Sequence, residues 1–346
     1  MSKEVGIIGY GVYLPKYRIK SDEYIKSYGY FAAAGINEKS IARFDEDILT
    51  MALEAANNSL LNAGIEPNDL DAIYLGTTSA PYEEKMISST LSSMIGAVKD
   101  IALADFTTST KAGTTAFLTC VDFIMAGRGK YGMAIASDSP ISSPLDDAEH
   151  PCGAGAAAFV IGTSNILAKV ESIHQLGFEM WGGKFRRRGE RFSTRLYIPK
   201  LEQEEYLFTI SSIINKILKK VELTIDEIDY IVFHQPDMRM IGRVRRRVMI
   251  KDEQISPGII CTDVGDVGAA SALLGLASTL DIAKIGNRIL VISHGSGTGA
   301  DAFILSVCKR PNQNVPMIKE YLDSKEYIDY MTYLRWRRFL ERIRYP

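Results

Sequence analysis

The chain has 346 residues and a mass of 38.3 kDa, too much for one ordinary core and enough for two fused units. Apolar residues make up 46% and charged residues 24%, and 40 Lys and Arg face 42 Asp and Glu. That balance excludes a disordered chain and leaves no global field to draw in nucleic acid. No apolar run reaches the roughly 18 residues of a membrane span, and MSKEVGIIGYG lacks the long apolar region of a signal peptide. Cys120, Cys152, Cys261 and Cys308 are scattered without a CxxC. Their spacing argues against a metal site or disulfides and for a reducing, cytoplasmic location.

In chain order, Gly6-Ile7-Ile8-Gly9-Tyr10-Gly11 has the glycines of a dinucleotide loop. That loop needs a helix directly afterwards, and Val12-Tyr13-Leu14-Pro15 is extended instead, so a strand and a turn are predicted. Residues 46–63 read as an amphipathic helix leading to an apolar strand at 72–75, and 101–106 read as a buried strand. A second helix, 206–221, leads to a strand at 231–233, and a strand from Ile289 ends at His294. The stretches 114–126 and 271–283 are rich in Ala, Leu, Thr and Gly and nearly free of charge. Helices of that kind are buried all round, which places both centrally, between two sheets. Their N-terminal ends offer a positive dipole to a thioester oxygen or an anion.

The second half repeats the first. Asp71 in NDLDAIYLG matches Asp229 in DEIDYIVFH, 158 residues on; Gly129 matches Gly286 at 157, and Gly113 matches Gly268 at 155. Three matches in one order predict an internal duplication, with halves at 1–165 and 166–346.

Chemistry concentrates at a few points. His234, in His234-Gln235-Pro236, stands at the C-terminal end of its strand, where α/β folds place their sites. His294 opens Gly295-Ser296-Gly297-Thr298-Gly299, a close-approach loop by its glycines and a weak signal by itself. Three basic runs follow: Arg186, Arg187, Arg188 and Arg191; then Arg239, Arg243, Arg245, Arg246 and Arg247; then Arg335, Arg337, Arg338, Arg342 and Arg344. Solvated helix faces or partner contacts account for most such runs. The first two would also suit a rim for the phosphates of a ligand such as coenzyme A.

GIIGYGVYLPKYRIK, TKAGTTAF, the HQP after a strand, LLGLASTLDIAKIGNRILVISHGSGTGADAF and the tail KEYIDYMTYLRWR together resemble the thiolase superfamily. Within it the chain resembles the short 3-hydroxy-3-methylglutaryl-CoA synthases of archaea over nearly its whole length. The resemblance implies a dimeric, five-layered α-β-α-β-α thiolase fold. It also implies chemistry in which a cysteine carries an acetyl group and condenses it with acetoacetyl-CoA.

The family's site falls on four positions here. Thr110 of Thr110-Lys111-Ala112-Gly113-Thr114 stands where the family has its cysteine, and Thr78 where it has a glutamate. Asp266 of Gly265-Asp266 stands where it has an asparagine, and His234 matches its histidine. By the same resemblance, Arg186, Arg187, Arg239, Arg243, Ser296 and Gly297 are the candidates for holding a coenzyme A thioester, with no other cofactor implied. Val264-Gly265-Asp266-Val267-Gly268-Ala269-Ala270-Ser271 is similar to the nucleophile-free synthase-like subunit of acyltransferase assemblies that also contain a thiolase and a small zinc-ribbon/OB-fold protein. The expectation is a noncatalytic or weakly catalytic subunit of an acyl-CoA-processing complex, dimeric through residues 104–109. The alternative is an active hydroxymethylglutaryl-CoA synthase or acyltransferase of the mevalonate route, using Thr110 or Ser109 with His234 as base.

Overall fold

The structure is a computed structural model; it describes residues 4–340 except 30, 99, 180–183, 196–198 and 313. The first half runs β1 (Gly6–Tyr13), β2 (Tyr17–Lys20), α1 (Ser21–Tyr28), β3 (Glu38–Ile41), α2 (Ile48–Ala63) and β4 (Ala72–Gly76). It continues with α3 (Ile87–Ile95), β5 (Ala102–Phe106), α4 (Ala112–Met125), β6 (Gly132–Asp138) and β7 (Gly155–Gly162). Next come β8 (Ala168–Gly177), the small hairpin β9 (Lys184–Phe185) and β10 (Thr194–Arg195), α5 (Pro199–Val221), β11 (Tyr230–Phe233) and α6 (Met238–Val248). The short α7 (Asp252–Ile255) and α8 (Cys261–Val264) precede α9 (Ser271–Leu280), β12 (Arg288–Gly295) and β13 (Gly299–Val307). Last are α10 (Ile318–Asp323), β14 (Glu326–Tyr327) and α11 (Tyr330–Trp336).

Nine strands order as β11-β12-β13-β8-β1-β7-β6-β4-β5. Reading outward from the middle, β1-β7-β6-β4 and β8-β13-β12-β11 are the same arrangement made twice. The two sheets expected about α4 and α9 meet at one seam. Gly6 and Ile7 of β1 pair with Lys169 and Ala168 of β8, so the half-sheets are hydrogen-bonded into one continuous sheet. The second half, moreover, has no strand answering to β5 among the described residues.

Side-chain alternation builds the five layers. On β12, Ile289 and Val291 enter the central core while Leu290 and Ile292 enter an outer core with α5 and α6. On β6, Ala134 and Ala136 face inward while Met133 and Ile135 pack with α2 and α3. The central layer is α4 with α9, as their lack of charge predicts. Phe117 of α4 stacks on Phe303 of β13 at 4.7 Å and meets Phe159 of β7 edge-on at 5.8 Å, touching both half-sheets. The head of α4 meets the turn before α9 through small residues. A Cβ on Gly113 would lie 2.2 Å from the carbonyl oxygen of Ala269, so only glycine admits that approach.

Helix boundaries follow their caps. α2 starts at Ile48, two residues later than its periodicity suggests, because Asp47 accepts from the amides of Leu49 and Thr50 at 2.9 Å. α5 starts seven residues before the predicted 206. β5 was expected to be buried, yet all five of its residues are half-exposed, because it is the edge of the sheet. No helix among the described residues is long and apolar enough to cross a membrane.

Candidate active site at the head of the central helix

The site lies where β4, β6, β11 and β12 end beside the N-termini of α4 and α9. Thr110 stands just before α4 and donates its hydroxyl to the backbone carbonyl of His294 at 2.7 Å. Beside it, the hydroxyls of Ser109 and Thr298 are 3.2 Å apart. Thr108 holds a φ of 71°, a left-handed conformation that is uncommon for a β-branched residue and concentrates at functional turns. Lys111 reaches the fully buried Asp301 of β13 at 3.0 Å. Asp301 also accepts from Thr114, Thr115 and Gln175, tying the first turn of α4 to the other half-sheet.

Thr78 follows β4 and turns toward Asp138, the last residue of β6. Asp138 is completely buried, and one of its oxygens accepts from the Thr78 amide at 3.1 Å, the Thr78 hydroxyl at 2.8 Å and the Ala269 amide at 2.8 Å. The other accepts from the hydroxyls of Thr77 and Ser79 and the amide of Ser139. The carboxylate thus locks the 77–79 turn to the approach of α9. Gly268 is required there: its φ is 51°, and a Cβ would come within 2.3 Å of Asp138 Oδ2.

His234 directly follows β11 and is 3% exposed. Burial holds its ring neutral by lowering its pKa to about 4, against the pull of Asp266, whose Oδ1 is 3.8 Å from Nε2. Asp266 is not free to swing closer, since the same oxygen accepts the Gly268 amide at 2.9 Å. Its backbone is zipped to the 151–153 loop, through Pro151 and Gly153. His294 is the penultimate residue of the adjacent β12, its ring 6.3 Å from that of His234. Glu205 of α5 bonds His294 Nε2 at 3.0 Å.

The predicted positions fall into two groups. Thr110, His234, Asp266 and Thr78 converge on this one region. Arg186 joins them, reaching the Thr78 carbonyl at 3.2 Å, whereas Arg187 turns to Glu190 and is three-quarters exposed. Arg239 pairs with Asp237 and Arg243 bonds Gln203, both on the exposed side of α6. Ser296 Oγ is buried without a partner among the described residues, and the Gly297 amide is already taken by Glu205. The three cavities described, of about 530, 380 and 140 Å³, are lined by residues other than Thr110. Arg342 and Arg344 lie outside the described residues.

Two structural facts bear on the pairing of Thr110 with His234 as nucleophile and base. The Thr110 hydroxyl donates to a carbonyl, and burial lowers the pKa of His234 to about 4. Cys120 is buried within α4 and Cys261 in α8, both with pKa values pushed up by burial, and the Cys152 thiol turns to the Ala148 carbonyl at 3.0 Å.

Sequence reasoning missed Asp138, Glu205 and Asp301. A charged residue closing or interrupting an apolar strand would have flagged Asp138 and Asp301. Glu205 sits among neighbouring acids on a helix and carries no such signal.

The model for the N-terminal part of hydroxymethylglutaryl-coenzyme A synthase matches residues 1–165. That for the C-terminal part of 3-oxoacyl-[acyl-carrier-protein] synthase III matches residues 218–307. The hydroxymethylglutaryl-CoA synthase of Methanopyrus kandleri is 36% identical over 98% of this chain and 99% of its own. The chain belongs to the hydroxymethylglutaryl-CoA synthase family. The synthase of Thermococcus gammatolerans is 35% identical over 97% of each chain. In fold, the chain is similar to MvaS in complex with 3-hydroxy-3-methylglutaryl coenzyme A, with a TM-score of 0.87 and 18% identity, covering 97% of this chain and 92% of that one. It is also similar to PksG, an HMG-CoA synthase from Bacillus subtilis, with a TM-score of 0.82 and 22% identity, covering 97% and 88%.

The buried histidines predict acid lability. His150, like His234, has a pKa lowered by burial to about 4, from 6.5. Between pH 6.5 and 4 the unfolded chain therefore binds protons that the folded chain refuses. Stability is present above pH 6.5 and falls as pH drops toward 4, by on the order of 2–3 kcal/mol per histidine. Urea midpoints measured across that range should fall, and His150→Gln should flatten the decline.

Proposed function

We propose that this chain holds an acyl-CoA thioester at the head of α4 and works as a noncatalytic or weakly catalytic subunit of an acyl-CoA-processing complex. The observation that carries this reading is the Thr110 hydroxyl, bonded to the His294 carbonyl where family chemistry needs a free nucleophile. The expected partners are a second copy, a thiolase and a small zinc-ribbon/OB-fold protein, in the cytoplasm, without nucleic acid or membrane. The half-exposed edge strand β5, which ends at Phe106 shortly before Thr110, supports a second copy there, because an unpaired edge recruits another strand.

Calorimetry with CoA and acetyl-CoA tests the reading. Binding is expected, and Arg186→Ala should weaken it several-fold, on the order of 1–2 kcal/mol, with a shallower salt dependence. The absence of binding, alone and with partner proteins, would leave a purely structural role.

The alternative, a working synthase or acyltransferase, is supported by the relatives' names and by two histidines that each sit beside a carboxylate. Turnover of acetyl-CoA and acetoacetyl-CoA by the purified chain would establish it.

A further inference from the structure

Glu205 lies within helix α5, among acidic neighbours expected to face water, yet its side chain is 1% exposed. Its Oε1 accepts two hydrogen bonds, from His294 Nε2 at 3.0 Å and from the Gly297 amide at 3.1 Å. Burying a carboxylate is costly unless partners replace its water, so these two contacts are what retain it. A carboxylate only accepts. With Glu205 as acceptor, a His294 ring that holds one proton carries it on Nε2 and presents Nδ1 as the lone-pair nitrogen. The next residue, Tyr206, packs edge-on against the His294 ring at 5.0 Å and donates its hydroxyl to the His234 carbonyl at 2.7 Å. One turn of α5 thus grips the ends of both β11 and β12.

That grip extends to the head of α4. The turn 294–298 is tied to Thr110 at its first residue, through the His294 carbonyl, and lies against Ser109 at its last, through Thr298. Glu205 holds the same turn from the opposite side. Around it, Glu205 Oε2, Ser293 Oγ, Ser296 Oγ and His234 Nδ1 are buried with no hydrogen-bond partner among the described residues. Native interiors seldom leave so many polar atoms unpaired in one place, and those that do are concentrated where chemistry or binding occurs.

We propose that Glu205 is a positioning residue of the acyl-thioester site: it holds His294 as the Nε2–H tautomer and pins the turn that orients Thr110 and Ser109. This role rests on the reading that acyl-CoA is held at the head of α4, but the ring tautomer is measurable without any ligand.

With four histidines in the chain, proton–nitrogen correlation spectra of isotope-labelled histidine resolve each ring, and His294→Gln assigns the one of interest by its loss. His294 is expected as a single Nε2–H tautomer in the wild type and in Glu205→Gln, whose amide oxygen still accepts. Glu205→Leu should release the ring to a tautomer mixture and weaken CoA binding about tenfold, while Glu205→Gln stays within about twofold of wild type. An Nδ1–H ring in the wild type overturns the proposal, as does an unchanged ring with unchanged CoA binding in Glu205→Leu. If Glu205→Leu fails to fold, the wild type and Glu205→Gln decide: Nε2–H in both supports the role and Nδ1–H in either refutes it. A wild type that binds no CoA overturns the acyl-site reading, and the tautomer then decides the role of Glu205 alone.

Discussion

Incubated with acetyl-CoA, the wild-type chain is expected to gain no acetyl group, and Thr110→Cys is expected to gain one per chain. A threonine hydroxyl is far less acidic than a thiol, and here its proton is engaged by the His294 carbonyl. His234, with its pKa lowered to about 4, offers little driving force to remove that proton. A thiol at the same place starts from a pKa of about 8.5, and the N-terminus of α4 lowers it further, so a useful thiolate fraction exists at neutral pH. Intact-protein mass spectrometry reads the adduct directly. Condensation with acetoacetyl-CoA is expected to need Thr78→Glu as well, and Asp266→Asn beside it. Thr78 has no carboxyl group to shuttle a proton, and an ionised Asp266 would repel a developing enolate. An acetyl adduct on wild-type Thr110, or synthase turnover by the unaltered chain, would refute the noncatalytic reading.

Replacing Asp138 should produce the largest loss of stability of any single change at the site. Five groups in the turns after β4 and β6 and one at the approach to α9 donate to this one carboxylate, which is wholly buried. Asp138→Ala strands the Ala269 and Ser139 amides in an interior where water cannot replace the acceptor. The expected cost is about 3–5 kcal/mol in denaturant unfolding. Thr78→Val removes one donor and leaves the carboxylate satisfied, so about 1 kcal/mol is expected from it. Equal losses from the two variants would show that the hydroxyl, not the carboxylate, organises the turn.

The duplication, the two nearly charge-free helices and the strands leading to His234 and His294 were legible because each depends on neighbours within one element. Alternation tells a strand which face is inside, and the near-absence of charge marks α4 and α9 as central. Caps worked less well: Asp47 delays α2 by two residues because its side chain competes for the amides that begin the helix. The expectation for 101–106 failed on burial because an apolar run does not reveal whether it is central or at an edge.

By itself, the sequence determined the family, the doubled layers and the chemistry present at Thr110, Thr78, His234 and Asp266. Only the tertiary structure decided what those groups are bonded to. Thr110 meets His294 across 184 residues, Glu205 meets the same histidine across 89, and Asp138 meets Ala269 across 131. No local pattern encodes such pairings, because a hydrogen bond is set by the meeting of two strand ends and a helix, each positioned by its own core. The same packing makes His234 a weak base, since desolvation depends on everything that surrounds the ring and not on the residues beside it in the chain.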